Sequence, residues 1–165
     1  MHKPVYRACF AVMYGCGLRI GEAVKLTPAQ LDKDRRVVQI IGKGNKERLV
    51  PLPDALLQSL RKVWITHHNR AWVFAHRAQG GHLLLKTVYR AFAHARVAAN
   101  LPTVTPHTFR HSYATRLLEK GVPVQVVQII LGHSSTRTTQ TYLHLTEPTR
   151  DQIQAVVGTL MRDLC

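Results

Sequence analysis

Acidic side chains are scarce in this 165-residue chain: 9 Asp plus Glu stand against 23 Lys plus Arg, a formal net charge of +14. A solvated surface normally mixes both signs, so this excess points to a polyanionic partner, nucleic acid first; a merely soluble basic surface is the plainer alternative. Aromatic residues make up only 7%, so aliphatic side chains must fill the core that one domain of this size builds. The three cysteines, Cys9, Cys16 and Cys165, are odd in number and unpatterned, which fits reduced thiols in a cytoplasm rather than a disulfide framework. Long apolar runs are also missing. The stretch Val122 to Leu131 is interrupted by Pro123, Gln125 and Gln128, short of a membrane span, and the N-terminus lacks the long apolar run and small-residue cleavage site of a signal peptide.

The hydrophobic spacing predicts a mainly α protein with one prominent hairpin. Helices are expected over residues 4–14, stopped by Gly15 and Gly17, and over about 18–25. A single turn follows, with Thr27 as N-cap and Pro28 in the first helical position. At Arg36 the period changes to that of strands, and Gly42-Lys43-Gly44-Asn45 supplies turn residues between two β-branched runs. A helix starts at Pro53-Asp54 and runs to about Thr66, "AWVF" reads as a short extended piece, and another helix covers 86–99. Helices then follow over 107–121 and from Pro123 to Leu131, the latter ended by Gly132, and a further one in "SSTRTTQTYLHL", capped by Ser134 or Ser135. The last segment, Thr149 to Leu164, lines up Ile153, Val156, Val157, Leu160, Met161 and Leu164 on one face behind the breaker Glu147-Pro148. That stripe needs an apolar groove, on its own domain or on a neighbouring subunit.

Several polar residues sit where helix stability alone would not put them. "HTFRHSYAT" loads the first turn of a helix with His107, Arg110 and His111, although the helix dipole disfavours cations there. His107 and Arg110, three apart, lie on one side of a helix and can both donate to one phosphate. The alternatives are a solvated helix start and a zinc pair at His107 and His111, the latter opposed by the cation between them. In "CGLRIGEAVKL", Arg19 follows a glycine bend among apolar neighbours and needs a partner for its charge; a structural pair with Glu22 satisfies that need too. Lys43, Lys46 and Arg48 surround the hairpin tip and suit a ribbon touching a nucleic-acid groove, or simply a soluble turn. His133 follows a helix C-terminus, which favours a protonated imidazole. Tyr142 lies among Thr, Gln and His, unlike Tyr6 and Tyr14 with their apolar neighbours; Tyr113 competes with it as a reactive phenol.

Taken together, "GLRIGEA", "GKGNKERLVPL", "HTFRHSYAT", "LGHSS" and "TQTYLHL" resemble, in the same order, the catalytic domain of the tyrosine recombinases, the phage integrase and Xer-like group. The resemblance runs over nearly the whole chain. It implies that residues 1–165 form one tyrosine recombinase catalytic domain, without the upstream core-binding domain that usually completes a clamp around DNA, so weak and salt-dependent binding is expected. It implies further that Arg19, Lys43, His107, Arg110 and His133 are catalytic, with Tyr142 as the nucleophile that forms a 3′-phosphotyrosyl link on double-stranded DNA. No cofactor or metal is implied, and the expected assembly is a homotetramer on DNA in the cytoplasm. A DNA-relaxing topoisomerase shares the catalytic set, and a non-catalytic DNA-binding remnant of a mobile element is the reading from another class.

Overall fold

The structure, a computed structural model, describes residues 4–42, 47–76, 80–132 and 147–162. Helix α1 (Pro4–Gly15) is followed by the short α2 (Ile20–Val24) and a 3-10 turn at Pro28–Gln30. Strands β1 (Leu31–Asp32), β2 (Val37–Ile41) and β3 (Glu47–Pro51) come next, then α3 (Asp54–Trp64), α4 (Leu85–Ala98), α5 (Pro106–Glu119), α6 (Val124–Leu131) and α7 (Glu147–Arg162). The mainly helical fold with a small antiparallel sheet is the one expected from the periodicity.

The sheet runs in the order β1-β2-β3. β2 pairs with β3 in the register Val38↔Val50 and Ile40↔Arg48, so Arg48 and Val50, two apart, share a face. β1 is absent from the sequence-based reading, because two residues carry no period. It is joined to β2 by a tight turn in which Asp32 Oδ1 accepts from the backbone N–H groups of Asp34 and Arg35, at 3.1 and 2.8 Å. "AWVF" docks rather than joins this sheet: the Val73 N–H donates to Leu26 O at 2.8 Å, and Ala75 bridges His82.

α1 runs through the core, with Ala8, Cys9, Val12 and Met13 buried against α3, α5 and α7. The few aromatics are concentrated: Phe10, Phe92 and Phe109 from α1, α4 and α5 meet with ring centroids 5.4–6.1 Å apart, edge-on or tilted as ring quadrupoles prefer. Burial pushes the Cys9 thiol up to about 12 and raises Cys16 as well, leaving two inert small apolar side chains.

Two helix starts differ from expectation. α5 begins at Pro106, with the Thr105 N–H donating to Thr108 Oγ1 at 3.1 Å. α7 begins at Glu147, so Glu147-Pro148 opens the helix instead of breaking it; a first-turn proline lacks only an N–H that would have no helical partner. α7 folds back on its own domain, against α1, α3, α5 and β3. Ile153 is fully buried, Val156 packs on the core, and Gln154 Nε2 donates to Arg36 O at 2.7 Å. Burying a side chain such as Ile153 stabilises by roughly 1.5–3 kcal/mol. The expectations for the Val157, Leu160, Met161 and Leu164 side chains fall outside the described residues. No helix among the described residues is long and apolar enough to cross a membrane.

Candidate active site

The turn between α1 and α2 organises the site. Gly17 has φ +60, and a Cβ there would stand 2.6 Å from Tyr113 Cδ1 and 3.0 Å from Leu131 Cδ2. Only glycine combines this left-handed backbone with so close an approach. The Gly17 carbonyl points at α5, where Arg110 Nη1 donates to it at 2.8 Å. Arg110 Nη2 donates to Leu131 O, at the end of α6. The Arg110 guanidinium is therefore buried, oriented by two carbonyls and neutralised by neither.

Two residues beyond Gly17, Arg19 stands just before α2 with its side chain 46% exposed. Its backbone N–H donates to Glu22 Oε2 at 2.8 Å and its Nη1 to Glu22 Oε1 at 3.2 Å. The expected Arg19–Glu22 pair thus exists, yet it leaves the guanidinium facing solvent. Glu22 has a second partner: Arg48 forks both of its oxygens, Nη1 to Oε1 at 3.0 Å and Nη2 to Oε2 at 2.8 Å. Arg48 Nε donates to Ile130 O at 2.9 Å. Arg48 is 4% exposed, so the expectation that it touches DNA from the hairpin is corrected: its phase along β3 turns it inward, and all its donors named here serve the protein.

Charge follows from this geometry. Burial alone would raise the Glu22 carboxyl, but the hydrogen bonds and charge of Arg48, then the N–H and charge of Arg19, hold it below its ordinary value. Burial lowers Arg110 to about 10, and the charges of Arg19 and Arg48 lower it too, against the opposing pull of Glu22; it stays charged at neutral pH. Arg19 and Arg48 thus share the Glu22 carboxylate, while Arg110 feels its charge without a hydrogen bond to it.

His107 is exposed in the first turn of α5, three residues ahead of Arg110. Tyr113 is fully buried with its ring against Gly17, which removes it as a competing nucleophile on an external substrate. Lys43, Lys46, His133 and Tyr142 lie outside the described residues. No group of three or more His, Cys, Asp or Glu among the described residues is placed to hold a metal ion. What the sequence-based reading missed is the Arg48–Glu22 fork and the two α6 carbonyls; the alternation of Arg48 with Val50 and Leu52 is the signal that reveals the first.

The phage integrase family pattern matches residues 2–148. The chain belongs to the phage integrase family. Tyrosine recombinase XerD of Pseudomonas putida is 37% identical over 161 residues, covering 90% of this chain and 52% of that protein. XerD of Lacticaseibacillus casei is 45% identical over 148 residues, covering 84% of this chain and 50% of that protein. The chain spans about half the length of the curated relatives it matches. Among solved structures, the integrase of mycobacterium phage Brujita superposes with a TM-score of 0.75 at 22% identity, over 97% of this chain and 53% of that one, which supports the fold. The XerH site-specific recombinase bound to a palindromic difH substrate, in a post-cleavage complex, superposes with a TM-score of 0.72 at 25% identity, over 90% of this chain and 44% of that one.

Proposed function

We propose that residues 1–165 are the catalytic domain of a site-specific recombinase that cuts and rejoins double-stranded DNA through a covalent protein–DNA link. The observation that carries the reading is the pairing of exposed Arg19 with fixed Arg110 around the Gly17 turn, in a cluster where positive charge exceeds negative. Nucleophilic attack on a phosphodiester adds negative charge to the nonbridging oxygens, and donors already in place stabilise it without reorganising.

In this reading Tyr142 Oη bonds to phosphorus as the bond from phosphorus to the 5′-oxygen breaks. A phenol with an ordinary value near 10 is only ~0.1% ionised at neutral pH, so His107 accepts its proton. Lys43 delivers a proton to the departing 5′-oxygen, and His133 donates to a nonbridging oxygen. A 5′-hydroxyl of a second strand then attacks the phosphotyrosine, restoring a phosphodiester and releasing Tyr142. Two arginines and a lysine do the electrostatic work without a metal or cofactor. Lys43 and Lys46 touch DNA from the hairpin, and the protein assembles as a tetramer on DNA in the cytoplasm.

The test is covalent capture on a nicked suicide duplex, at protein concentrations above about 10⁻⁴ M so that nonspecific-range binding saturates. The unmodified chain yields an adduct stable to denaturation. Tyr142→Phe yields none while its DNA affinity is unchanged, since one hydroxyl and no charge is removed. An adduct at full level in that variant moves the nucleophile elsewhere, and no adduct from the unmodified chain sinks the reading.

A further inference from the structure

Arg48 does more than fill a buried position. The Glu22 carboxylate takes four donors: two from Arg48, the Arg19 N–H and Arg19 Nη1. That exhausts the roughly four acceptor sites of a carboxylate, so Glu22 cannot turn without breaking the fork. Arg19 is a long, half-exposed side chain that would otherwise lose rotamer freedom at each encounter with a phosphate. Meanwhile Arg48 Nε holds Ile130 O, next to the Leu131 carbonyl that holds Arg110. Gly132 lies against the Arg48 stem: a Cβ there would be 3.0 Å from Arg48 Cδ, and its φ is +67. One planar fork thus touches the partner of Arg19 and the helix end that anchors Arg110.

We propose that Arg48 is a positioning residue for DNA cleavage, locking Glu22 so that Arg19 is already aimed before the phosphate arrives, and tying that lock to the end of α6. The proposal rests on the recombinase reading above. A lysine keeps the charge but has no planar fork to span both carboxylate oxygens and Ile130 O. Arg48→Lys therefore releases Arg19 without removing it.

The experiment is a double-mutant cycle of Arg48→Lys with Arg19→Ala, read as the single-turnover rate of adduct formation on the nicked suicide duplex, with DNA affinity and a melting curve for each variant. In the Arg19 background, Arg48→Lys slows adduct formation by about 10²-fold, the scale of a misplaced catalytic group, with DNA affinity held within about twofold. In the Arg19→Ala background it costs no more than about twofold, because the residue it positions is gone. Equal losses in both backgrounds overturn the proposal, as does a lowered melting point with full cleavage. Should Arg48→Lys fail to fold, Glu22→Gln runs the same cycle with the same expectations and the same contrary result. Capture by the unmodified chain with additive losses sinks the Arg48 assignment alone; absence of capture by the unmodified chain sinks the recombinase reading and takes the assignment with it.

Discussion

Arg48 enters the interior from β3 and meets a carboxylate, whereas Arg110 enters from α5 and meets the carbonyls of Gly17 and Leu131. Both guanidiniums leave water and both are oriented by hydrogen bonds. A carboxylate cancels charge and so returns most of the desolvation cost on folding. Carbonyl dipoles hold a cation in place while leaving its charge to act on whatever comes next. The first arrangement costs the fold little while it is intact, and the second keeps a positive charge ready at some expense of stability. That expense shows in Arg110 itself, lowered to about 10 by burial and then by Arg19 and Arg48.

The contrast breaks most sharply under parallel substitutions. Arg110→Met slows adduct formation by about 10²–10³, the scale of one lost transition-state donor, yet lowers stability by only about 1 kcal/mol, since two carbonyls lose partners while an uncancelled charge leaves the interior. Arg48→Met costs stability first, about 3 kcal/mol, because Glu22 stays largely buried with only Arg19 for company. Thermal melts beside capture rates decide it, and equal stability losses at the two positions erase the distinction. Gly17→Ala comes next: a methyl 2.6 Å from the Tyr113 ring and a left-handed φ together cost about 2 kcal/mol, measured by denaturant unfolding. The displaced carbonyl should also slow cleavage more than the stability loss explains.

The smallest effect is in acid. Glu22 titrates below its ordinary value of 4.5 in the folded protein, so its contribution is complete above about pH 4.5 and lost as pH falls through the folded value. Glu22→Gln should flatten that part of the stability–pH curve, and an unchanged acid limb would mean the Arg48 fork is energetically neutral.

The fold was legible wherever punctuation was strong. Gly17, Pro28 and Gly132 sit where the reading put a break, a turn and a helix end, because left-handed or proline-fixed backbone leaves a mark on residue type. Proline misled at two helix starts: Pro106 opens α5 instead of preceding it, and Pro148 looked like a breaker and is a first-turn residue of α7. Arg19 and Arg110 were singled out through family resemblance, with the odd chemistry of their helix starts as support, and the structure brings them to one turn. Arg48 was misread because its neighbours Lys43 and Lys46 drew it toward the hairpin tip, while its alternation with Val50 pointed inward. Its partner Glu22 lies 26 residues away, and no local spacing announces such a pairing. The carbonyls of Ile130 and Leu131 belong to the backbone, so no side chain at those positions advertises what they hold.

The register Ile40↔Arg48 has a consequence for chain length. Strand side chains alternate faces, so adding one residue between Arg48 and the start of α3 would present Leu49 where the fork now stands, removing one would present Glu47, and either would send the guanidinium to the opposite face. Substitutions along β3 can be absorbed one contact at a time, but a change of length by a single residue cannot. Spacing, more than composition, is therefore what descendants of this chain must preserve in that strand.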